Sequence, residues 1–328
     1  MVTEAPVTVA PEHETRRRPP DMLRPIGIAA AVVALQALLV AFFAWPALKL
    51  GPHDLPVVVA GPPAAVQQMQ GRLDQLKPGG FEVTGAADPD QALRDRDAYA
   101  AFIPGPDGSM SVHVASAASP TVAALLSQQF AGTPVKVVDV VPVDPDDPRG
   151  AGLASAFLPM LITAIIAAVL LWQGVRSIGG RLGGLILFAV LAGLGEAAVL
   201  QYFFHALPGT YLANAAVLGL VSAAISGVVL GLASLLGRVG IALGVLAVFV
   251  IGNPLSAINA APELLPQPWG AIGQFFPPGA GMTLLRSVAY FDGAHAATTA
   301  WTLAAWAVAG VLLLGLARRR GGVRGGSR

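Results

Sequence analysis

Six stretches of this chain run for about twenty residues with almost no charge, at 26 to 48, 152 to 174, 182 to 204, 211 to 236, 239 to 257 and 297 to 317. A hydrocarbon core about 30 Å thick takes roughly 20 apolar residues of helix to cross, so each run is a candidate span. No water reaches the backbone at that depth, and a helix is the one local structure that satisfies every peptide group within its own segment. Composition agrees, with 55% of the 328 residues hydrophobic and 12% charged. The expected fold is an α-helical polytopic membrane protein with six transmembrane helices and an α/β extracytoplasmic domain inserted between the first and second.

The first apolar run follows the basic leader "TRRRPPDMLRP", which suits a signal peptide as well as an anchor. Its length exceeds the apolar core of about 7 to 15 residues that signal peptides carry, and five more runs follow, so it reads as an uncleaved anchor. Basic residues then set the orientation. Arg176, Arg181 and Arg238 fall in the two short loops on one side, whereas "HALPGT" on the other side has neither Lys nor Arg. The excess of positive charge marks the cytoplasmic side, so both termini are expected in the cytoplasm of a multi-pass plasma-membrane protein. The layout is then a cytoplasmic tail at 1–25, the first span at 26–48, the inserted domain at 49–150, a five-helix region at 151–317 and a basic cytoplasmic tail at 318–328.

The insert reads as a different kind of protein. "LPVVVAG", "FEVTG", "AYAAFIP", "SMSVHVAS" and "PVKVVDVVP" have strand composition, and "PPAAVQQMQGRLDQL", "DPDQALRDRD" and "SPTVAALLSQQF" have helical spacing. Strands alternating with helices indicate a compact α/β fold. Its aspartates include the run "DPDDP", which lacks the glycine and the terminal glutamate of a calcium loop and reads as a stiffened linker. His53, His113, His205 and His295 are scattered without metal-ligand spacing. No cysteine is present, so there is no disulfide and no thiolate site.

No phosphate loop, zinc-binding H-E-x-x-H helix or G-x-S-x-G nucleophile elbow occurs, so the chain carries no enzyme or cofactor signature. Any nucleotide hydrolysis would belong to a separate subunit. The C-terminal "ARRRGGVRGGSR" suits contact with anionic lipid better than contact with nucleic acid. Paired glycines at Gly180 and Gly184, Gly227 and Gly231, and Gly240 and Gly244 let helix backbones approach, which favours a bundle and allows a homodimer. Glu196 is the one ionisable residue placed well inside an expected span. It reads either as the polar lining of a substrate route or gate, or as a hydrogen-bond partner for Asn214 or Ser222 on the next helix.

One segment breaks the apolar pattern. "NPLSAINAAPELLPQPWGAIGQFFPPGAGMTLLRSVAYF" holds six prolines, at Pro254, Pro262, Pro266, Pro268, Pro277 and Pro278, and cannot be one helix. The residues from 258 to 296 are expected to form an outer connection. In it Trp269, Phe275 and Phe276 would lie at the membrane interface, and a short amphipathic helix would carry Leu284, Leu285, Val288 and Phe291 on one face. Asn253, Pro254, Pro262, Pro266, Pro277, Pro278 and Arg286 join Glu196 as candidate transport or gating residues, and Arg176, Arg181 and Arg238 are candidates for cytoplasmic docking.

This layout, together with "AYAAFIPGP", "NPLSAINAAPELLPQPWGAIGQFFPPGAG" and "LLRSVAYFDG", resembles type-2 ABC transporter permeases of the phage-infection-protein-like branch. The resemblance implies a homodimeric permease that works with a cytoplasmic ATP-binding subunit and moves an amphipathic or cell-envelope molecule outward. The competing expectation is a non-transporting envelope protein whose inserted domain binds a partner.

Overall fold

A computed structural model describes residues 23–105, 107–145, 147 and 150–325. Arg16, Arg17 and Arg18 of the N-terminal tail, Asp146 of the aspartate run and Arg328 lie outside the described residues. The chain divides into two compact units, Met1–Phe43 and Ala44–Arg328. Helix α1 (Leu23–Leu48) makes up the described part of the first and is long and apolar enough to cross a membrane.

In the second unit, four more helices meet the same test: α5 (Ala151–Gly174), α6 (Ile178–Ala198, extended by a π-helical turn to Phe203), α7 (Tyr211–Leu236) and α11 (Ala296–Gly325). The fifth expected span differs. Residues 239–257 yield α8 (Arg238–Val245) and seven further residues of π-helix, Leu246–Gly252. At 1.5 Å per residue this apolar rod reaches roughly 22 Å, short of the hydrocarbon thickness. It stops at Gly252 because Pro254 has no N–H to continue the ladder, and Ser256 turns its hydroxyl onto the Asn253 carbonyl at 2.5 Å.

Helix α7 is the hub of the bundle, mostly buried, with α5, α6, α8 and α11 packed around it. Glycine makes this possible. A Cβ on Gly193 of α6 would collide with the Ala215 carbonyl of α7, one on Gly310 of α11 would fall on the Gly227 backbone of α7, and one on Gly231 would lie 2.6 Å from the Gly310 oxygen. Gly240 and Gly244 likewise bring α8 onto Leu232 and Val229. Two of the three glycine pairs noted in the sequence, Gly227/Gly231 and Gly240/Gly244, are therefore spent on helix contacts within one chain. Outward faces stay apolar, with Ile162 and Ile166 of α5, Leu187 and Leu191 of α6, and Trp301 and Leu312 of α11 exposed.

The α/β lobe is a five-stranded sheet in the order β2-β1-β3-β4-β5, from β1 (Leu55–Val59), β2 (Phe81–Gly85), β3 (Ala100–Pro104), β4 (Met110–Val114) and β5 (Lys136–Asp139). All neighbours are parallel except β3 and β4, in register with Phe102 opposite Val112. Val57, Val59, Phe102 and Val112 pack on one face with Leu73 of α2 (Pro63–Leu76) and Ala123 of α4 (Pro120–Gln129). Val58 and Ala101 face the other way, toward Leu93 of α3 (Pro89–Arg94) and toward Phe291, which comes from the bundle side of the chain.

The proline-rich segment supplies the ground on which the lobe stands. It folds as tight turns, a 3-10 turn at Pro262–Leu264 and the short helix α9 (Trp269–Gly273), and leads into α10 (Pro277–Tyr290). Leu55 and Val122 of the lobe bury Ala260, Ala261, Leu264 and Leu265. Backbone bonds from Gly51 N to Leu264 O (2.8 Å) and from His53 N to Glu263 O (2.9 Å) tie the entry linker to the same turn. Helix α10 is not the amphipathic interfacial helix expected. Most of it is buried, with bundle helices α5, α7 and α11 along it and the lobe over its far end, and Thr283, Val288 and Tyr290 are half-buried.

Candidate functional site

Two cavities hold the chemistry. The first, about 720 Å3, opens between α5 and α6 beside Leu218 of α7, with Phe157, Met160, Phe188 and Phe204 on its walls. Glu196 faces into it, with Oε2 buried and no hydrogen-bond partner among the described residues. The alternative role for Glu196, a bond to Asn214 or Ser222, is not what forms. Asn214 donates instead to the carbonyl of Pro208 (2.8 Å) and to Gln201 Oε1 (3.3 Å), and the Ser222 hydroxyl has no partner among the described residues.

Three features place that carboxylate. Glu196 lies two turns before the end of its helix, roughly 10 Å in from Phe203, and the π-helical turn Val199–Phe203 follows directly. Such turns insert a residue into the helix and recur at functional sites. At the rim, the Asp147 carboxylate accepts from the N–H groups of Gly152 (2.9 Å) and Leu153 (3.1 Å) and so caps α5. Asp147 was expected to belong to a stiffened linker. It is instead a second acidic group on the wall of this apolar cavity.

The second cavity, about 690 Å3, lies where the lobe, the proline-rich platform, α10 and the start of α11 meet. Arg286 of α10 is 5% exposed and its Nη2 donates to the Ile258 carbonyl at 2.8 Å. Arg96 of the lobe donates from Nη1 to the Thr283 carbonyl at 3.1 Å and stacks over the Phe291 ring, 5.3 Å from its centroid. Burial, and then the charge of Arg96, bring the Arg286 pKa down to about 10, which leaves it charged at neutral pH. Burial lowers Arg96 in the same way, and burial followed by the neighbouring Glu263 carboxylate pushes the Tyr99 phenol far above its ordinary value.

The candidate residues separate on this map. Glu196 lines the first cavity, and Arg286 and Pro262 line the second. Asn253, Pro254, Pro266, Pro277 and Pro278 line neither: Pro277 and Pro278 start α10, and the Pro266 carbonyl accepts from Trp269 N at 3.0 Å to start α9. Arg176, in the α5–α6 loop, and Arg238, the first residue of α8, are exposed. Arg181 is committed inward, through Nε to Val175 O (2.8 Å), Nη2 to Trp172 O (2.9 Å) and Nη1 to Ser234 Oγ (2.9 Å). Its guanidinium clamps the α5–α6 loop to α7, which commits three of its five N–H groups to the fold.

No family model, curated protein or solved structure matches this chain. Four members of the second cavity, His53, Arg96, Tyr99 and Glu263, had no signal in the sequence. Arg96 sits in "RDRD", which has the look of a solvated charge run, and Glu263 lies among prolines with no partner nearby in sequence. Only the docking of the lobe brings them together.

Proposed function

We propose that this chain is the membrane permease subunit of an ABC-type exporter that moves an amphipathic or cell-envelope molecule outward. The observation that carries the reading is the apolar cavity between α5 and α6 with Glu196 unpaired on its wall. Its volume falls in the range of ligand pockets, about 300 to 1,000 Å3, and its walls suit hydrocarbon. A carboxylate without a partner in such a place is costly unless something polar visits it, and the head of an amphipathic cargo would do so.

In this reading the lobe is extracytoplasmic, and α8 with its π-helical continuation makes a sixth crossing, its shortness met by local thinning of the bilayer. Arg176, Arg181 and Arg238 then lie on the cytoplasmic side, in accord with the positive-inside rule. A separate ATP-binding subunit docks there, using the exposed Arg176 and Arg238. With two glycine pairs consumed internally, a homodimer would use the exposed apolar faces of α5 and α6.

Because the chain has no cysteine, orientation is tested cleanly by Gln128→Cys in the lobe and Arg176→Cys in the loop. An impermeant maleimide should label the first in intact cells and the second only after lysis, and the reverse pattern overturns the export direction. Purification of the full chain in mild detergent should recover an ATP-binding subunit whose turnover rises with lysophospholipid. That response should vanish in Glu196→Leu. Recovery of the chain without any ATP-binding subunit rules the reading out.

A further inference from the structure

The cavity under the lobe holds more unpaired polar chemistry than a structural joint needs. Arg286 is buried and bonds one carbonyl, although a guanidinium carries five N–H donors. Arg96 likewise reaches one carbonyl. Among the described residues neither guanidinium pairs with a carboxylate: the ion pairs present are His113 with Asp90 and His295 with Asp97, both elsewhere. Across the same space, and among the described residues, Glu263 Oε2 and His53 Nδ1 are buried without hydrogen-bond partners, with the Tyr99 phenol beside the same carboxylate.

Buried polar groups in folded proteins are almost always satisfied, and exceptions call for a missing partner. Two cations, one acceptor-only carboxylate and one imidazole around a single cavity ask for a ligand with two faces. One face must be an oxyanion, to take the two guanidiniums that line the cavity, whose forked donors suit phosphate. The other must donate hydrogen bonds, because Glu263 Oε2 can only accept and would repel a bare anion. The setting fits such a molecule. Thr298, Thr299 and Thr302 bring the first turns of the long helix α11 to the cavity wall, and a helix N-terminus favours negative charge. Phe275, 67% exposed, stands at the rim, so an apolar tail has a surface to follow outward.

We propose that this junction cavity binds a phosphate headgroup that also carries an amino or hydroxyl donor, as phospholipids and their water-soluble phosphoalcohols do. Arg96 and Arg286 hold the phosphate, and Glu263 with His53 reads the donor. Because the lobe supplies Arg96 and α10 supplies Arg286, an occupied site bonds the lobe to the bundle. The inference stands apart from transport, since it uses neither Glu196 nor an ATP-binding subunit.

The full-length protein in maltoside detergent can be titrated with phosphoethanolamine, with short-chain phosphatidylethanolamine and with short-chain phosphatidylcholine, while thermal unfolding is followed. Phosphoethanolamine should raise the midpoint saturably, and the choline lipid, which has no N–H, should bind about tenfold or more weaker than the ethanolamine lipid. Tighter binding of the short-chain ethanolamine lipid than of phosphoethanolamine marks a lipid ligand, and equal binding marks a soluble one. Arg96→Gln and Arg286→Gln should each weaken binding by about tenfold or more, and Glu263→Gln should erase the preference for ethanolamine over choline. If Arg286→Gln does not fold, Arg96→Gln and Glu263→Gln decide the matter. The proposal is overturned if no probe gives a saturable shift in the wild type, or if Arg96→Gln binds as tightly and Glu263→Gln as selectively as the wild type.

Discussion

Arg96 of the lobe and Thr283 of α10 stand 187 residues apart in the chain and are joined by a 3.1 Å bond from a guanidinium to a backbone carbonyl. The same side chain covers the Phe291 ring, so one residue fastens the lobe by charge and by contact. Arg96→Ala should therefore cost about 1 to 3 kcal/mol, the scale of a hydrogen bond from a charged donor. Limited proteolysis should show it as faster cleavage in the linkers near residues 50 and 145, with the sheet itself still protected. Unchanged cleavage would mean that the lobe is held by its apolar contacts alone.

The crossing of α7 and α11 rests on Gly310, where an added methyl would land on the Gly227 backbone. Backbone cannot turn aside as a side chain can. Gly310→Ala should lower the thermal midpoint in detergent, at a cost of about 1 to 3 kcal/mol. Gly315→Ala, five residues along the same helix and facing open space, should be neutral or mildly stabilising.

Arg181 closes the α5–α6 loop with three hydrogen bonds, two of them to backbone carbonyls. Arg181→Ala should reduce stability measurably in a chemical or thermal melt, whereas Arg176→Ala and Arg238→Ala, both exposed, should stay within about 0.5 kcal/mol of the parent. Under the permease reading the exposed pair should lose ATPase binding without losing stability. Equal destabilisation by all three would remove that distinction.

Tyr290 gives a test in pH. Burial raises its phenol from 10.0 to about 12, and the hydroxyl donates to the Ala206 carbonyl at 3.4 Å. Above pH 10 the unfolded chain loses this proton while the folded chain keeps it, so the contribution of Tyr290 is present below pH 10 and is lost as pH rises toward about 12. Tyr99 acts in the same direction, and the lowered pKa of Arg286 opposes both over the same range. Tyr290→Phe should therefore lose less stability than the parent between pH 10 and 12 in alkaline melts. Parallel curves for the two proteins would show that the phenol does not titrate on unfolding.

Much of the fold was legible locally. "LPVVVAG" and "AYAAFIP" form β1 and β3, and four of the five later apolar runs form helices long and apolar enough to cross a membrane, because strand alternation and hydropathy are properties of neighbouring residues. Residues 239–257 form a shorter apolar rod than their hydropathy indicates, because hydropathy counts apolar residues but not the point at which Pro254 ends the ladder. Glu196 stood out because a carboxylate in an apolar run is conspicuous whatever surrounds it. Arg96 did not, because among the aspartates of "RDRD" nothing marks it as destined for burial.

The amino-acid order alone determined that this chain is a helical membrane protein carrying an α/β lobe, since each of those facts follows from interactions over a few residues. Only the tertiary structure decided that most of α10 is buried, that the glycine pairs at Gly227 and Gly240 serve contacts within the chain, and that Arg96 and Arg286 share a cavity with Glu263. Those facts depend on the lobe coming down onto the bundle, and an approach between segments nearly two hundred residues apart leaves no periodic trace in either of them.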